Sequence, residues 1–94
     1  MTEMQKPYFI HIRPELPGIN SHGGITIAVL WAPELDCFVF ETAQCHTSEN
    51  YNKKIGRAIA TGRLRKNGGI PLDHEIRTVK DAEQRLRRFY GHYF

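Results

Sequence analysis

The chain is 94 residues long, 40% hydrophobic, 24% charged and 11% aromatic, which is the size and makeup of one small globular domain. That composition excludes a disordered tail, a collagen-like rod and a disulfide-dense scaffold, and a chain this short buries only about 60–65% of its unfolded surface, too little for a large substrate cavity. The net charge of +3 hides an asymmetry: residues 1–52 carry two bases against six acids, and residues 53–94 carry eleven bases against four acids.

In chain order, residues 1–7 are polar and precede no long apolar stretch, so no secretory leader is expected. Tyr8–Arg13 mixes aromatic and β-branched residues between two prolines and predicts a strand. Pro14–Gly24 holds prolines, glycines, an asparagine and a serine and reads as a loop. Ile25–Ala32 predicts a largely buried strand, Pro33–Asp36 a turn, and Cys37–Cys45 a third strand, so residues 25–45 form an antiparallel hairpin. The apolar period then changes from two to 3.6. Thr47 or Ser48 caps a helix whose stripe is Tyr51, Ile55, Ala58, Ile59 and Gly62, ending at Lys66-Asn67-Gly68-Gly69. Ile70–Arg77 is short and suits an edge strand, with Pro71 confined to the sheet margin. Thr78 opens a second helix with its stripe at Val79, Ala82, Leu86, Phe89 and Tyr93. The expected fold is α+β: a three- or four-stranded, mainly antiparallel sheet with two helices packed on one face, in a single domain over residues 1–94.

The charge split points to an anionic partner for the second half of the chain. Lys53, Lys54, Arg57, Arg63, Arg65 and Lys66 fall within fourteen residues with no acid among them. A plainly solvated helix mixes signs and gains about 0.2–0.5 kcal/mol from each i,i+4 pair. This one forgoes those pairs, which a ligand of opposite charge explains. Gly56 and Gly62 interrupt the same helix at about 1 kcal/mol each relative to alanine. Close packing on the sheet explains them, and so does close approach of a partner. The C-terminal run Arg85, Arg87, Arg88, Tyr90, Tyr93 and Phe94 interleaves bases with aromatics. It serves a protein interface, stacks single-stranded nucleic acid, or simply divides between core and solvent. Pro71, after Gly68-Gly69, is a candidate isomerisation switch that would re-aim the last helix.

Chemistry is poorly supported. Cys37 and Cys45 lie too far apart on one strand for a disulfide unless the chain bends back, and are expected as reduced thiols. No Cys or His pair has zinc-ligand spacing, and no phosphate loop is present, so no cofactor and no metal is expected. The longest apolar run, Ile27–Pro33, is too short to span a membrane, and the expected location is the cytoplasm.

The segment from Asn52 to Leu64 contains Lys54-Ile55-Gly56-Arg57-Ala58-Ile59-Ala60-Thr61-Gly62-Arg63-Leu64. It resembles a signature in small proteins of tailed bacteriophages, where a hairpin ending in a cysteine leads into such a helix. The resemblance spans roughly residues 24–66. Among phage proteins of this size, the chain is similar to the anti-RecBCD accessory proteins of lambdoid phages. That resemblance implies a non-enzymatic protein that binds and modulates or inhibits a host nucleic-acid-processing complex inside the host cell. The alternative is direct binding of DNA or RNA by the same basic surface. A small Cys/His hydrolase or zinc protein is the third reading.

Overall fold

The computed structural model describes residues 6–13, 22–50 and 52–91, without the side chains of residues 22 and 45–50. The elements run β1 (Tyr8–Ile12), β2 (His22–Ala32), β3 (Cys37–Asn50), α1 (Lys53–Asn67), β4 (Ile70–Pro71) and α2 (Val79–Tyr90). The four strands form one antiparallel sheet in the order β1-β2-β3-β4. The expected α+β class and antiparallel sheet are therefore found, with four strands. Most of the expected Pro14–Gly24 loop lies outside the described residues, but Gly23 and Gly24 belong to β2, where a bulge shifts the register.

Side chains alternate across a strand, and β2 shows the consequence. Ile25, Ile27 and Val29 face one layer, and Thr26, Ala28 and Ala32 face the other. On the bulky side, Ile10, Ile12, Phe38 and Phe40 join them, and Ile76, Ala82 and Leu86 cover the layer from α2 and the segment before it. On the small side, Ala28, Ala32, Val39 and Ala43 form a shallow seat that receives Ala60 and Leu64 of α1. The two helices thus pack on opposite faces of the sheet, not on one. A strand apolar on both faces needs cover on both, and Ile25–Ala32 is such a strand.

The seat also explains which side of α1 is buried. Under small side chains the helix axis lies close to the sheet, and only small residues fit beneath it. A Cβ added to Gly56 would stand 2.4 Å from Thr26 Oγ1. Gly56, Ala60 and Leu64, four apart, therefore form the inward row, while Ile55, Ala58, Ile59 and Gly62 of the expected stripe are exposed. Tyr51 lies outside the described residues. The cap moves too. β3 runs on through Thr47 and Ser48 to Asn50, and Asn52 caps α1 with Oδ1 accepting from the Ile55 amide at 3.0 Å. At the other end, Gly68 takes the left-handed conformation and its amide donates to the Leu64 carbonyl. Thr78 caps α2 as expected, its Oγ1 accepting from the Asp81 amide at 3.1 Å.

β4 is a two-residue edge strand, pairing Ile70 with Phe40 and Pro71 with Val39. The Leu72 amide extends it, donating to the Phe38 carbonyl at 2.8 Å. Gly69 has φ +89°, and a Cβ there would meet Val39 Cβ and Leu64 Cδ1 at 2.8 Å. Its glycine is thus fixed by close approach of the helix end to the sheet. No peptide bond among the described residues is cis, the Ile70–Pro71 bond included.

Candidate partner-binding surface

Because α1 and α2 cover opposite faces, the two basic segments do not form one surface. They also differ in what their cations do. On α2, Arg85 Nη1 pairs with Asp73 Oδ2 at 2.6 Å, and Arg87 Nε pairs with Glu83 Oε2 at 2.7 Å. Arg87 Nη1 also donates to the His11 carbonyl at 3.4 Å. The Tyr8 hydroxyl donates to Glu83 Oε1 at 2.7 Å, so the carboxylate clips β1 to α2. That hydroxyl, followed by the Arg87 guanidinium, holds the Glu83 carboxyl below its usual range, and the Glu83 contact raises the Tyr8 phenol. Tyr90 is half-buried, with its ring edge-on to Phe40 at 6.3 Å and to Phe89 at 4.9 Å. Of the C-terminal residues expected at an interface, Arg85, Arg87 and Tyr90 thus make contacts within the fold. Arg88 stays exposed beside a shallow polar depression shared with Glu75 and Gln84, and Tyr93 and Phe94 lie outside the described residues.

The α1 cations are used differently. Arg63 is spent on the fold, its Nη1 donating to the Thr42 carbonyl at 2.7 Å on the edge of β3. Arg57 leans over the Phe9 ring at 6.0 Å. Lys53, Lys54, Arg65 and Lys66 are exposed and make no ion pair among the described residues. Two contacts orient the helix: Arg57 marks its β1 side and Arg63 its β3 side. At about 100° per residue, Lys54 and Arg65 then follow Arg57 around the helix, and Ile59, Lys66 and Ile55 follow Arg63. Ala58 and Gly62 form the outermost ridge between them.

That outward face has three properties together. Ile55 is 56% exposed and Ile59 43%. Ala58 and Gly62 leave the ridge low, and a Cβ at Gly62 would meet nothing within 4 Å. Packing therefore accounts for Gly56 but not for Gly62, whose cost of about 1 kcal/mol has no return inside the described fold. The cations flanking the ridge have no carboxylate paired with them among the described residues. A period of 3.6 alone does not tell which stripe faces inward, so the sequence pattern does not mark Ile55 and Ile59 as surface residues. The run Ala28, Ala32 and Ala43, which demands a close helix, was the available signal.

Arg77, by contrast, locks the hairpin turn. It pairs with Asp36 Oδ1 at 3.1 Å, donates to the Asp36 carbonyl at 3.2 Å and lies 4.9 Å over the Trp31 ring. Asp36 itself has φ +53°. Cys37 is a buried free thiol, and the Cys45 side chain lies outside the description. Among the described residues there is no group of three His, Cys, Asp or Glu placed to hold a metal, and no helix is long and apolar enough to cross a membrane. Compared with family models, curated proteins and solved structures, the chain matches none.

Proposed function

We propose that this protein works by binding rather than by catalysis, and that the outward face of α1 docks on an acidic, partly apolar surface of a protein partner. The observation that carries this reading is the exposure of Ile55 and Ile59 beside Lys54, Arg65 and Lys66, none of which has an ion pair among the described residues. A phosphate backbone satisfies the cations but gains little from isoleucines. A protein surface satisfies both, since interface cores bury apolar side chains inside a polar rim. The low ridge at Ala58 and Gly62 lets such a surface come near the helix backbone. The resemblance to phage accessory proteins supplies the kind of partner: a host complex that processes nucleic acid, of the RecBCD type, which the protein modulates or inhibits.

Affinity capture from host lysate, with and without nuclease, tests this reading. The wild-type chain is expected to retain a protein after nuclease treatment, and Ile59→Asp combined with Lys66→Glu to lose it while folding normally. Surface changes of this kind stay within about ±0.5 kcal/mol each. Retention that vanishes with nuclease, and binding that falls with salt at a slope near −0.9 per phosphate neutralised, would instead establish direct nucleic-acid binding.

A further inference from the structure

The β1 side of α1 holds a second grouping, apart from the isoleucine face. Phe9 and His11 alternate along β1 and stand on the side of the sheet that α1 covers. α1 packs over β2 and β3, so it leaves these two β1 side chains only half-buried. Lys53 and Arg57 are four apart on α1 and share its β1 flank. The Arg57 guanidinium is 6.0 Å from the Phe9 ring centre. His11 Nδ1 is 3.1 Å from Thr26 Oγ1, the same hydroxyl that the missing Gly56 side chain makes room for. The helix start is therefore drawn down beside the imidazole.

The charged groups that act on the His11 ring, among the described residues, are cations. α1 contributes Lys53 and Arg57, β2 contributes Thr26, and α2 sends Arg87 to the His11 backbone carbonyl at 3.4 Å. Neither Lys53 nor Arg57 has an ion pair among the described residues. Burial, followed by Lys53, Arg57 and Arg87, holds the His11 imidazole below its ordinary value. An anion arriving here would reverse that balance, because an opposite charge within a few ångströms favours the protonated ring.

We propose that His11, Lys53 and Arg57 form a proton-gated seat for the 5′-phosphate of a nucleotide or of a nucleic-acid strand, with the Phe9 ring as its floor. Three separate donor groups suit a phosphomonoester, which offers three strong acceptor oxygens and nearly two charges at neutral pH. A carboxylate offers two oxygens and one charge. The half-exposed aromatic ring beside the cations gives the attached base a stacking surface. This seat goes beyond the protein-docking reading and stands without it. It shares none of the residues altered in that test.

The experiment follows the His11 ring resonances by NMR through a pH titration. The probes are thymidine 5′-monophosphate, a 5′-phosphorylated thymidine hexanucleotide, the same hexanucleotide with a 5′-hydroxyl, and poly-glutamate. At least the phosphorylated hexanucleotide is expected to raise the His11 titration midpoint by about one unit or more, the scale on which nearby opposite charges act. If only the hexanucleotide acts, the source is a strand end; if both act equally, it is a free nucleotide. His11→Gln is expected to remove the pH dependence of binding that remains after the phosphate's own titration is subtracted. Lys53→Ala with Arg57→Ala is expected to weaken binding at every pH. The proposal is overturned if the His11 midpoint stays put with both phosphorylated probes. It is also overturned if the 5′-hydroxyl strand or poly-glutamate shifts it as far, or if His11→Gln keeps the full pH dependence. Unfolding curves of each variant separate a lost site from a lost fold.

Discussion

Gly56 and Gly62 sit in one helix, six residues apart, and the fold predicts opposite outcomes when each becomes alanine. Both substitutions gain helix propensity of about 1 kcal/mol. At Gly62 the new Cβ meets nothing within 4 Å, so the whole gain should appear, raising Tm by about 4–8 °C for a domain this size. At Gly56 the Cβ would stand 2.4 Å from Thr26 Oγ1 and 3.0 Å from Thr26 Cβ. Thr26 is fully buried and bonded to His11, so it has little room to yield. Overpacking of this sort costs about 1–3 kcal/mol, which leaves Gly56→Ala neutral to about 2 kcal/mol less stable than the wild type. Urea unfolding of the two variants measures the difference directly. In a Thr26→Ala background the Gly56→Ala penalty should shrink, with a coupling energy of about 1 kcal/mol or more between the two sites. Equal stabilisation by both alanines, or strict additivity with Thr26→Ala, would refute the close seating of α1 on the sheet. Gly62→Ala carries a functional expectation as well: it should stabilise the chain yet weaken partner binding, since it raises the ridge.

Three further outcomes follow from the same geometry. Gly69→Ala should destabilise the protein by at least about 2 kcal/mol in chemical unfolding, because left-handed backbone strain adds to overlap with Val39 and Leu64. Glu83 titrates below its unfolded value of 4.5, so its contribution is complete above that pH and is lost as pH falls through the folded value; Glu83→Gln should flatten that part of the acid-unfolding profile. The His11 imidazole is likewise lowered from 6.5. Stability should therefore be full above pH 6.5 and decline as pH falls through the folded value, and thermal unfolding of His11→Gln should lose that slope.

The fold was largely legible. Tyr8–Ile12, the hairpin of β2 and β3, the Gly68 stop, the Thr78 cap and the marginal strand at Ile70–Pro71 all follow from local chemistry that the tertiary structure does not override. What was less legible depended on contacts between distant elements. Ile25–Ala32 is apolar on both faces, which calls for cover on both sides, yet only the alternation of bulky and small residues tells that α1 takes the small side and sits close. From that seat follow the inward row Gly56, Ala60 and Leu64 and the outward display of Ile55 and Ile59. The roles of Arg63, Arg85 and Arg87 were hidden for the same reason. Their partners Thr42, Asp73 and Glu83 are three quite different kinds of neighbour, and only Glu83 has helical spacing from its arginine.

Site-specific photo-crosslinking shows which helix meets the partner. A photoreactive side chain placed at Ala58 or Ile59 samples the outward face of α1, and one at the exposed Gln84 of α2 samples the opposite side of the molecule. In nuclease-treated host lysate, irradiation is expected to join the α1 positions to a protein partner and to leave position 84 without that adduct. Adducts confined to position 84, or α1 adducts that disappear with nuclease, would contradict docking of a protein through α1.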